Sequence, residues 1–264
     1  MTNEVVNILT IIGDSSEVKE VIDTITSDYE VFNISFNTFI PMPRDIRRTS
    51  SPVWLMEQDK YDQWIKENDS DDRDFYEGYP ITKEMRKNLL SKYGVDTWEK
   101  WAIQHWGTKC DVQGTTSLGK PNMVKFWTCD ETPFEAMLTL SKKFPNVKLK
   151  IQFADEDLGV NVGEYTLDNG EKINDNIPEA LSDEAYEMSM YITEDFYYVE
   201  EFLETISEDE SSEEFPEMCI RIAYKMRKVN KKTPTFIIEQ FKEWAISEED
   251  YEFASTLTNL LHEQ

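Results

Sequence analysis

The sequence predicts an α+β protein in which a sheet with two packed helices is followed by a small, acidic, all-helical part. Three features predict it: two separate strand-helix-strand patterns, a long aromatic stretch between them, and a change to helical periodicity after residue 170. The chain has 264 residues and 39% hydrophobic content, which is enough to build a core. We therefore place domains at residues 1–170 and 171–264, with an insertion at residues 44–122.

The first strand-helix-strand unit opens the chain. Residues 5–12 are mostly β-branched and precede a glycine, a pattern typical of a strand. Apolar residues then recur at helical spacing over residues 18–25, behind side chains that can cap a helix. A second strand is predicted at residues 31–37, which the following prolines end.

Residues 44–122 form a polar, aromatic-rich insertion. One helix is predicted here, around residues 97–105, and Gly107 ends it. Side chains on and after this helix form a possible ligand site, namely Trp98, Trp101, His105, Trp106 and Lys109. Such rings can stack on a base, and the lysine can meet a phosphate. Because the first three recur at helical spacing, an aromatic core beneath the insertion is the favoured interpretation.

The second half of this domain repeats the pattern. Strands are predicted at residues 123–128 and 147–153, with a helix over residues 132–144 between them. Two such units make a ferredoxin-like β-α-β-β-α-β fold, in which the insertion separates the second and third strands. Residues 160–167 supply an extra strand that turns at residues 168–170.

Acidic residues are concentrated in the C-terminal third. The net charge is −26, of which −10 lies in residues 1–170 and −16 in residues 171–264, and no basic residue lies between Lys172 and Arg221. Like charge repels nucleic acid and anionic membranes at long range, so neither duplex DNA nor a membrane is an expected partner. The expected partner is a basic protein. The candidate binding residues are Asp183, Glu184, Glu187, Glu194, Asp195, Glu200, Glu201, Glu204, Glu208, Asp209, Glu210, Glu213 and Glu214.

These carboxylates allow two interpretations. An array of them can imitate the phosphates of nucleic acid and occupy the basic groove of a DNA-binding enzyme. They can also be a solvated face that keeps the protein soluble, which is the more common role of such charge runs.

Short motifs follow one another in a fixed order between residues 5 and 170. They are the run 7–13, Phe36-Asn37 with Pro41-Met42-Pro43, Trp106-Gly107-Thr108-Lys109 before Asp111, Phe126-x-Thr128, the run 140–145, Ala154-Asp155-Glu156 and Gly163-Glu164. In this order they resemble the YubB-type ferredoxin-like proteins of phages and plasmids. The chain departs from that pattern where Cys110 replaces a tryptophan and where Cys129-Asp130 replace a small residue and a tryptophan. The resemblance implies a mobile-element origin and a ferredoxin-like fold, and no known reaction.

Four apolar stripes predict a helical C-terminal part, over residues 196–206, 222–226, 237–245 and 254–261. Residues 245–257 resemble one helix of the UVR hairpin of excision-repair proteins and some chaperone adaptors, which binds protein partners. Thr258-Asn259 stand where that pattern has Arg-Asp. An ordinary amphipathic helix is the favoured interpretation of the same residues.

Several classes of site are not expected. The three cysteines are widely spaced and odd in number, so we predict reduced thiols in a bacterial cytoplasm, with no disulfide framework and no zinc site. The aspartates at residues 69–74 lack the glycine and closing glutamate of a calcium loop. Neither a signal peptide nor a membrane span is predicted.

The sequence thus predicts a non-enzymatic accessory protein of a phage or other mobile element. It would bind a basic host protein, with a nucleic-acid-handling enzyme as one candidate, and would need no cofactor or metal. A small-ligand or single-stranded nucleic-acid module that uses the aromatic insertion and the sheet is the alternative.

Overall fold

A six-stranded antiparallel sheet lies at the centre of the structure. The computed structural model describes residues 2–28, 33–68, 78–157, 159–193, 242–243, 245–246 and 251–262. In spatial order the strands are β4 (Gly114–Ser117), β5 (Met123–Cys129), β1 (Glu4–Ile12), β6 (Lys148–Asp155), β7 (Gly163–Asp168) and β8 (Glu171–Asn176). Every neighbouring pair is antiparallel.

β1 lies in the middle of the sheet because most of its side chains are apolar. Val5, Leu9 and Ile11 are fully buried. Leu9 lies opposite Val124 of β5 on one side and Ile151 of β6 on the other. The first strand of the first strand-helix-strand pattern, β1, therefore lies between β5 and β6, the two strands of the second pattern.

Two helices pack on this sheet where the sequence predicts them. They are α1 (Ser15–Ile25) and α6 (Phe134–Lys143). Their buried side chains join the strands in one hydrophobic core and are Val18, Val21, Ile25, Ala136, Met137 and Leu140. The 3.6-residue spacing of these positions places them on one face of each helix.

The prediction of a sheet strand at residues 31–37 is wrong for its described residues. Asn33–Ile34 form the short strand β3, which pairs with β2 (Thr26–Asp28) in a separate two-stranded sheet. Phe36–Thr38 then form a 3-10 turn. The edge position beside β5 is taken by β4, which comes from the predicted insertion.

Side-chain hydrogen bonds explain why the chain turns here. The Asp111 carboxylate accepts hydrogen bonds from the Phe36 N–H at 2.7 Å and from the Ser35 hydroxyl at 2.6 Å. The Ser35 hydroxyl oxygen accepts in turn from the Asn37 N–H at 3.2 Å. Because side chains satisfy these backbone donors, the segment needs no neighbouring strand.

The insertion contains more helix than the sequence predicts. Its helices are α2 (Arg44–Arg47), α3 (Gln58–Asn68), α4 (Lys83–Tyr93) and α5 (Trp98–Trp106). α5 is the predicted helix, and it ends at Gly107. The others escape prediction because they bury few apolar residues: of their own side chains, α4 buries only Leu89 and α3 none.

A buried carboxylate joins α4 to α5. The Asp96 side chain is only 1% exposed and accepts hydrogen bonds from the Arg86 Nε at 2.8 Å and the Lys100 Nζ at 2.7 Å. Burial would raise the pKa of Asp96, but the hydrogen bonds and charges of these two partners outweigh burial and lower it. This pair of contacts fixes the geometry between the two helices.

The chain divides into two units, described separately. The first comprises residues 1–157 and 161–177, and the second comprises residues 158–160 and 178–264. β8 thus lies in the sheet unit, although the sequence places its residues in the helical part. The described helices of the second unit are α7 (Asp183–Thr193) and α8 (Tyr251–His262), where Ala254 and Leu257 are buried. None of the helices described here is long and apolar enough to cross a membrane.

Candidate functional sites

The acidic candidate residues lie mainly outside the described residues. Asp183, Glu184 and Glu187 belong to α7, and Glu184 is exposed. The others lie outside the described residues: Glu194, Asp195, Glu200, Glu201, Glu204, Glu208, Asp209, Glu210, Glu213 and Glu214. The acidic binding surface therefore stays a prediction.

The aromatic candidates sit on α5 and the turn after it, and we refer to Trp101, His105, Trp106 and Lys109 as the α5 cluster. Trp101 is 4% exposed and Trp106 is 2% exposed. The Trp106 Nε1–H donates a hydrogen bond to the Ile40 carbonyl at 3.1 Å. Both rings belong to the hydrophobic core and present no free face on which a ligand could stack. The fifth candidate, Trp98, is half-buried and packs against the same core.

The polar members of the α5 cluster are also engaged. The His105 ring lies 4.3 Å from the Trp101 ring, centroid to centroid. Burial lowers the pKa of His105, and the charge of Glu135 offsets part of that effect. The Lys109 ammonium forms an ion pair with Asp130. This arrangement is an aromatic core with paired charges at its edge.

The prediction of reduced cysteines is wrong for two of the three. Cys110 and Cys129 form a disulfide, with their Cα atoms 5.8 Å apart. The neighbouring Thr108 hydroxyl donates to the Cys129 carbonyl at 2.6 Å. Both cysteines stand at departures from the YubB-type pattern, as Asp130 does, and these departures did not predict a bond. The separation of 19 residues between the two cysteines does not by itself indicate a disulfide.

Carboxylates gather where β1 begins and where β5 and β6 end. Asp155 is 4% exposed and accepts hydrogen bonds from the side-chain amides of Asn3 at 3.0 Å and Asn161 at 3.1 Å. Burial and neighbouring carboxylates raise the pKa values of Glu131 and Glu156. Among the residues that the structure describes, no group of His, Cys, Asp and Glu is arranged to hold a metal ion. The aspartates at residues 69–74 lie outside that part of the chain.

Sequence reasoning missed a cavity in the insertion. It has a volume of about 810 Å³ and lies between α2, α3, α4 and the segment 79–81. We refer to it as the α2–α4 cavity. Its described lining residues are Pro43, Arg44, Asp45, Arg48, Tyr61, Ile65, Tyr79, Pro80, Ile81, Met85, Asn88, Leu89, Lys92 and Tyr93.

Backbone hydrogen bonds hold one wall of this cavity. The Tyr79 N–H donates to the Arg48 carbonyl at 2.8 Å, and the Ile81 N–H donates to the Trp54 carbonyl at 2.8 Å. Gly78 precedes this wall with a φ of +59°, and a Cβ there would lie 2.6 Å from the Ser50 Cα. Only glycine fits at this close approach.

Three cations and one carboxylate line the cavity among the described residues. The Lys92 Nζ lies 3.1 Å from an Asp45 carboxylate oxygen, and the Tyr93 hydroxyl donates to the same carboxylate at 2.8 Å. The pKa of Asp45 is lowered because these hydrogen bonds and the Lys92 charge outweigh the effect of burial. The Arg48 guanidinium lies 4.3 Å from the centre of the Tyr79 ring. No sequence motif signals the site, because its residues come from four separate elements.

The family match covers the later part of the sheet unit and the start of the second unit. Residues 106–200 match the family model of the ferredoxin-like domain in Api92-like protein. The crystal structure of a protein api92 from Yersinia pseudotuberculosis matches with 10% sequence identity and a TM-score of 0.39, over 69% of this chain and 100% of that chain. No curated protein sequence matches the chain. The prediction of a ferredoxin-like domain is confirmed by the family match.

Proposed function

We propose that this is a non-enzymatic accessory protein of a phage or other mobile element that binds a basic host protein. The observation that carries the proposal is the charge distribution. Residues 171–264 hold a net charge of −16, and no base lies between Lys172 and Arg221. A surface of one sign raises the encounter rate with a partner of opposite sign.

The described start of this acidic stretch supports the proposal. All six residues of β8 are exposed, and they include Glu171 and Asp175. In the second unit, Glu179 and Glu184 are exposed as well. Binding rather than catalysis also fits the setting of His105, which packs on an aromatic ring in the manner of a core residue.

A nucleic-acid-handling enzyme is the partner that this charge fits best, because its binding groove already accepts an array of negative charges. The protein would then compete with nucleic acid for the groove. Its affinity would fall steeply as salt concentration rises.

The test compares two charge-reversed variants of the full chain. One carries lysine at Glu200, Glu201, Glu204 and Glu208, and the control carries lysine at the exposed positions Glu20, Asp59, Glu67 and Glu84 of the sheet unit. The two variants have the same net charge. We expect duplex DNA to displace the host protein that the wild type captures. We also expect the first variant to capture none of this protein and the control variant to capture as much as the wild type. Equal retention by both variants would show that the acidic part is not the binding surface.

A second candidate function is the binding of a small ligand by the insertion, and the α2–α4 cavity favours it. The α5 cluster does not supply this site, because its tryptophan rings are buried. For the same reason stacking of single-stranded nucleic acid on that cluster is no longer proposed. Titration with aromatic dyes of the full chain and of a variant with a filled cavity tests this function.

A further inference from the structure

The described lining of the α2–α4 cavity carries a net positive charge, although the chain is strongly acidic. Its described lining holds the cations Arg44, Arg48 and Lys92 against the single carboxylate Asp45. The chain as a whole carries a charge of −26. A local excess of cations attracts an anion, and the walls of a concave site strengthen that attraction.

The three cations differ in how they are held. Lys92 and Asp45 form a pair, and the Lys92 Nζ also lies 4.6 Å from the centre of the Tyr93 ring. Arg48 rests on the Tyr79 ring. Arg44 is exposed, and within the described residues no carboxylate pairs with its guanidinium. Arg44 is therefore the group most able to meet an incoming anion, since it breaks no existing ion pair.

The remaining walls are apolar and aromatic. Ile65, Ile81, Met85 and Leu89 contribute aliphatic surface from three different elements. The rings of Tyr61, Tyr79 and Tyr93 line the same space. A volume of about 810 Å³ lies within the range of sites that enclose small organic ligands, about 300–1,000 Å³. The cavity thus combines a positive edge with a body suited to flat, apolar groups.

We propose that the α2–α4 cavity binds a small organic anion with a planar aromatic body, whose negative group meets Arg44 while its ring packs among the tyrosines and aliphatic side chains. This inference rests on the ligand-binding function proposed above and adds the chemical class of the ligand. Among the described lining residues the three cations exceed the one carboxylate by two charges, so one or two negative charges on the ligand lower the net positive charge of this lining.

Two fluorescent dyes that differ only by a sulfonate group test this class of ligand. Anilinonaphthalene sulfonate is an aromatic anion, and phenylnaphthylamine has the same rings without the sulfonate. We expect the full chain to bind the anionic dye about tenfold more tightly, which is the effect of one charge-assisted contact. The Arg44→Gln variant should remove most of that difference. Lys87→Gln is the matched control, because Lys87 is an exposed lysine of α4 outside the cavity lining.

A blocking variant separates the inference from the function on which it rests. Asn88 is exposed at the cavity, so Asn88→Trp fills the space without disturbing the core. If the wild type binds both dyes equally tightly and Asn88→Trp binds neither, the inference that the ligand is an anion is overturned, while the ligand-binding function stands. Dye binding that is unchanged in Asn88→Trp would place the dyes elsewhere and overturn both. Tighter binding of the anionic dye that falls in both Arg44→Gln and Asn88→Trp supports the proposal.

Discussion

The α5 cluster and the α2–α4 cavity lie in the same insertion and have similar compositions. Each combines aromatic rings with at least one cation that is paired with a carboxylate. In the α5 cluster, Trp101 and Trp106 are buried in the core of the sheet unit and Lys109 is paired with Asp130. In the α2–α4 cavity, the tyrosines line an open space and Arg44 is exposed. Composition alone therefore does not distinguish a structural aromatic cluster from a binding site.

The difference arises from what lies beneath each region. α5 packs directly against α6, whose first residues meet Gly107. Gly107 has a φ of +83°, and a Cβ there would lie 2.9 Å from the Phe134 backbone nitrogen. This close approach brings the tryptophans into the core. α3 has no buried residue of its own, and its Tyr61 and Ile65 line the cavity.

The largest expected effect distinguishes the two regions by stability. We expect Trp106→Ala to lower the free energy of unfolding by about 3–5 kcal/mol, because it empties a filled core position. Tyr61→Ala, in the half-buried cavity wall, should cost about 1 kcal/mol or less. Urea unfolding of both variants measures the contrast. If Trp106→Ala fails to fold, Trp106→Phe should still cost about 1 kcal/mol through loss of the hydrogen bond to the Ile40 carbonyl. Equal losses in the two regions would contradict the comparison.

The disulfide beside the α5 cluster has the next largest expected effect. Cys110→Ser with Cys129→Ser opens a loop of about 20 residues, and the loss of such a cross-link costs about 3 kcal/mol. The wild type should become as unstable as this variant when reductant is added, and the variant should not respond. Cys219→Ser is the control, since that cysteine is not part of the bond. A wild type whose unfolding midpoint is the same with and without reductant would show that the bond does not constrain this region.

The sheet and its two helices could be predicted from the sequence because periodicity reports burial directly. Residues 5–12 and 147–153 gave strands at the observed positions, and Val18 to Ile25 gave the buried face of α1. The prediction of a strand at residues 31–37 was wrong because the carboxylate of Asp111, which is distant in sequence, accepts the hydrogen bond of the Phe36 N–H. Local pattern contains no information about such a partner.

The candidate sites were harder to predict for a related reason. An aromatic core was the favoured interpretation, since Trp98, Trp101 and His105 recur at helical spacing, and Trp101 is buried in that core. The α2–α4 cavity was missed because its walls belong to α2, α3, α4 and the segment 79–81, which no motif connects. The residues that end α4 are of types typical of helix ends. The Thr82 hydroxyl oxygen accepts a hydrogen bond from the Met85 N–H at 3.2 Å, and Gly94 ends the helix with a φ of +76°. Its low apolar content hid the periodicity between them.

The smallest expected effect concerns pH and the interior of the α5 cluster. Burial holds the pKa of His105 below its ordinary value of 6.5, so the unfolded chain binds a proton at this histidine more readily than the folded chain. His105 should therefore not affect the free energy of unfolding above pH 6.5. Below pH 6.5 the free energy of unfolding should fall, and the whole contribution of His105 should be lost once the pH is below the lowered pKa of the folded state. Because the ring is only partly buried, we expect this contribution to be less than about 1 kcal/mol. His105→Gln should remove it, so that the difference in unfolding free energy between wild type and variant changes between pH 7.5 and pH 5.5. A difference that stays constant over that range would mean that the imidazole is hydrated, and that the α5 cluster is more open to water at this position than the burial of its tryptophans implies.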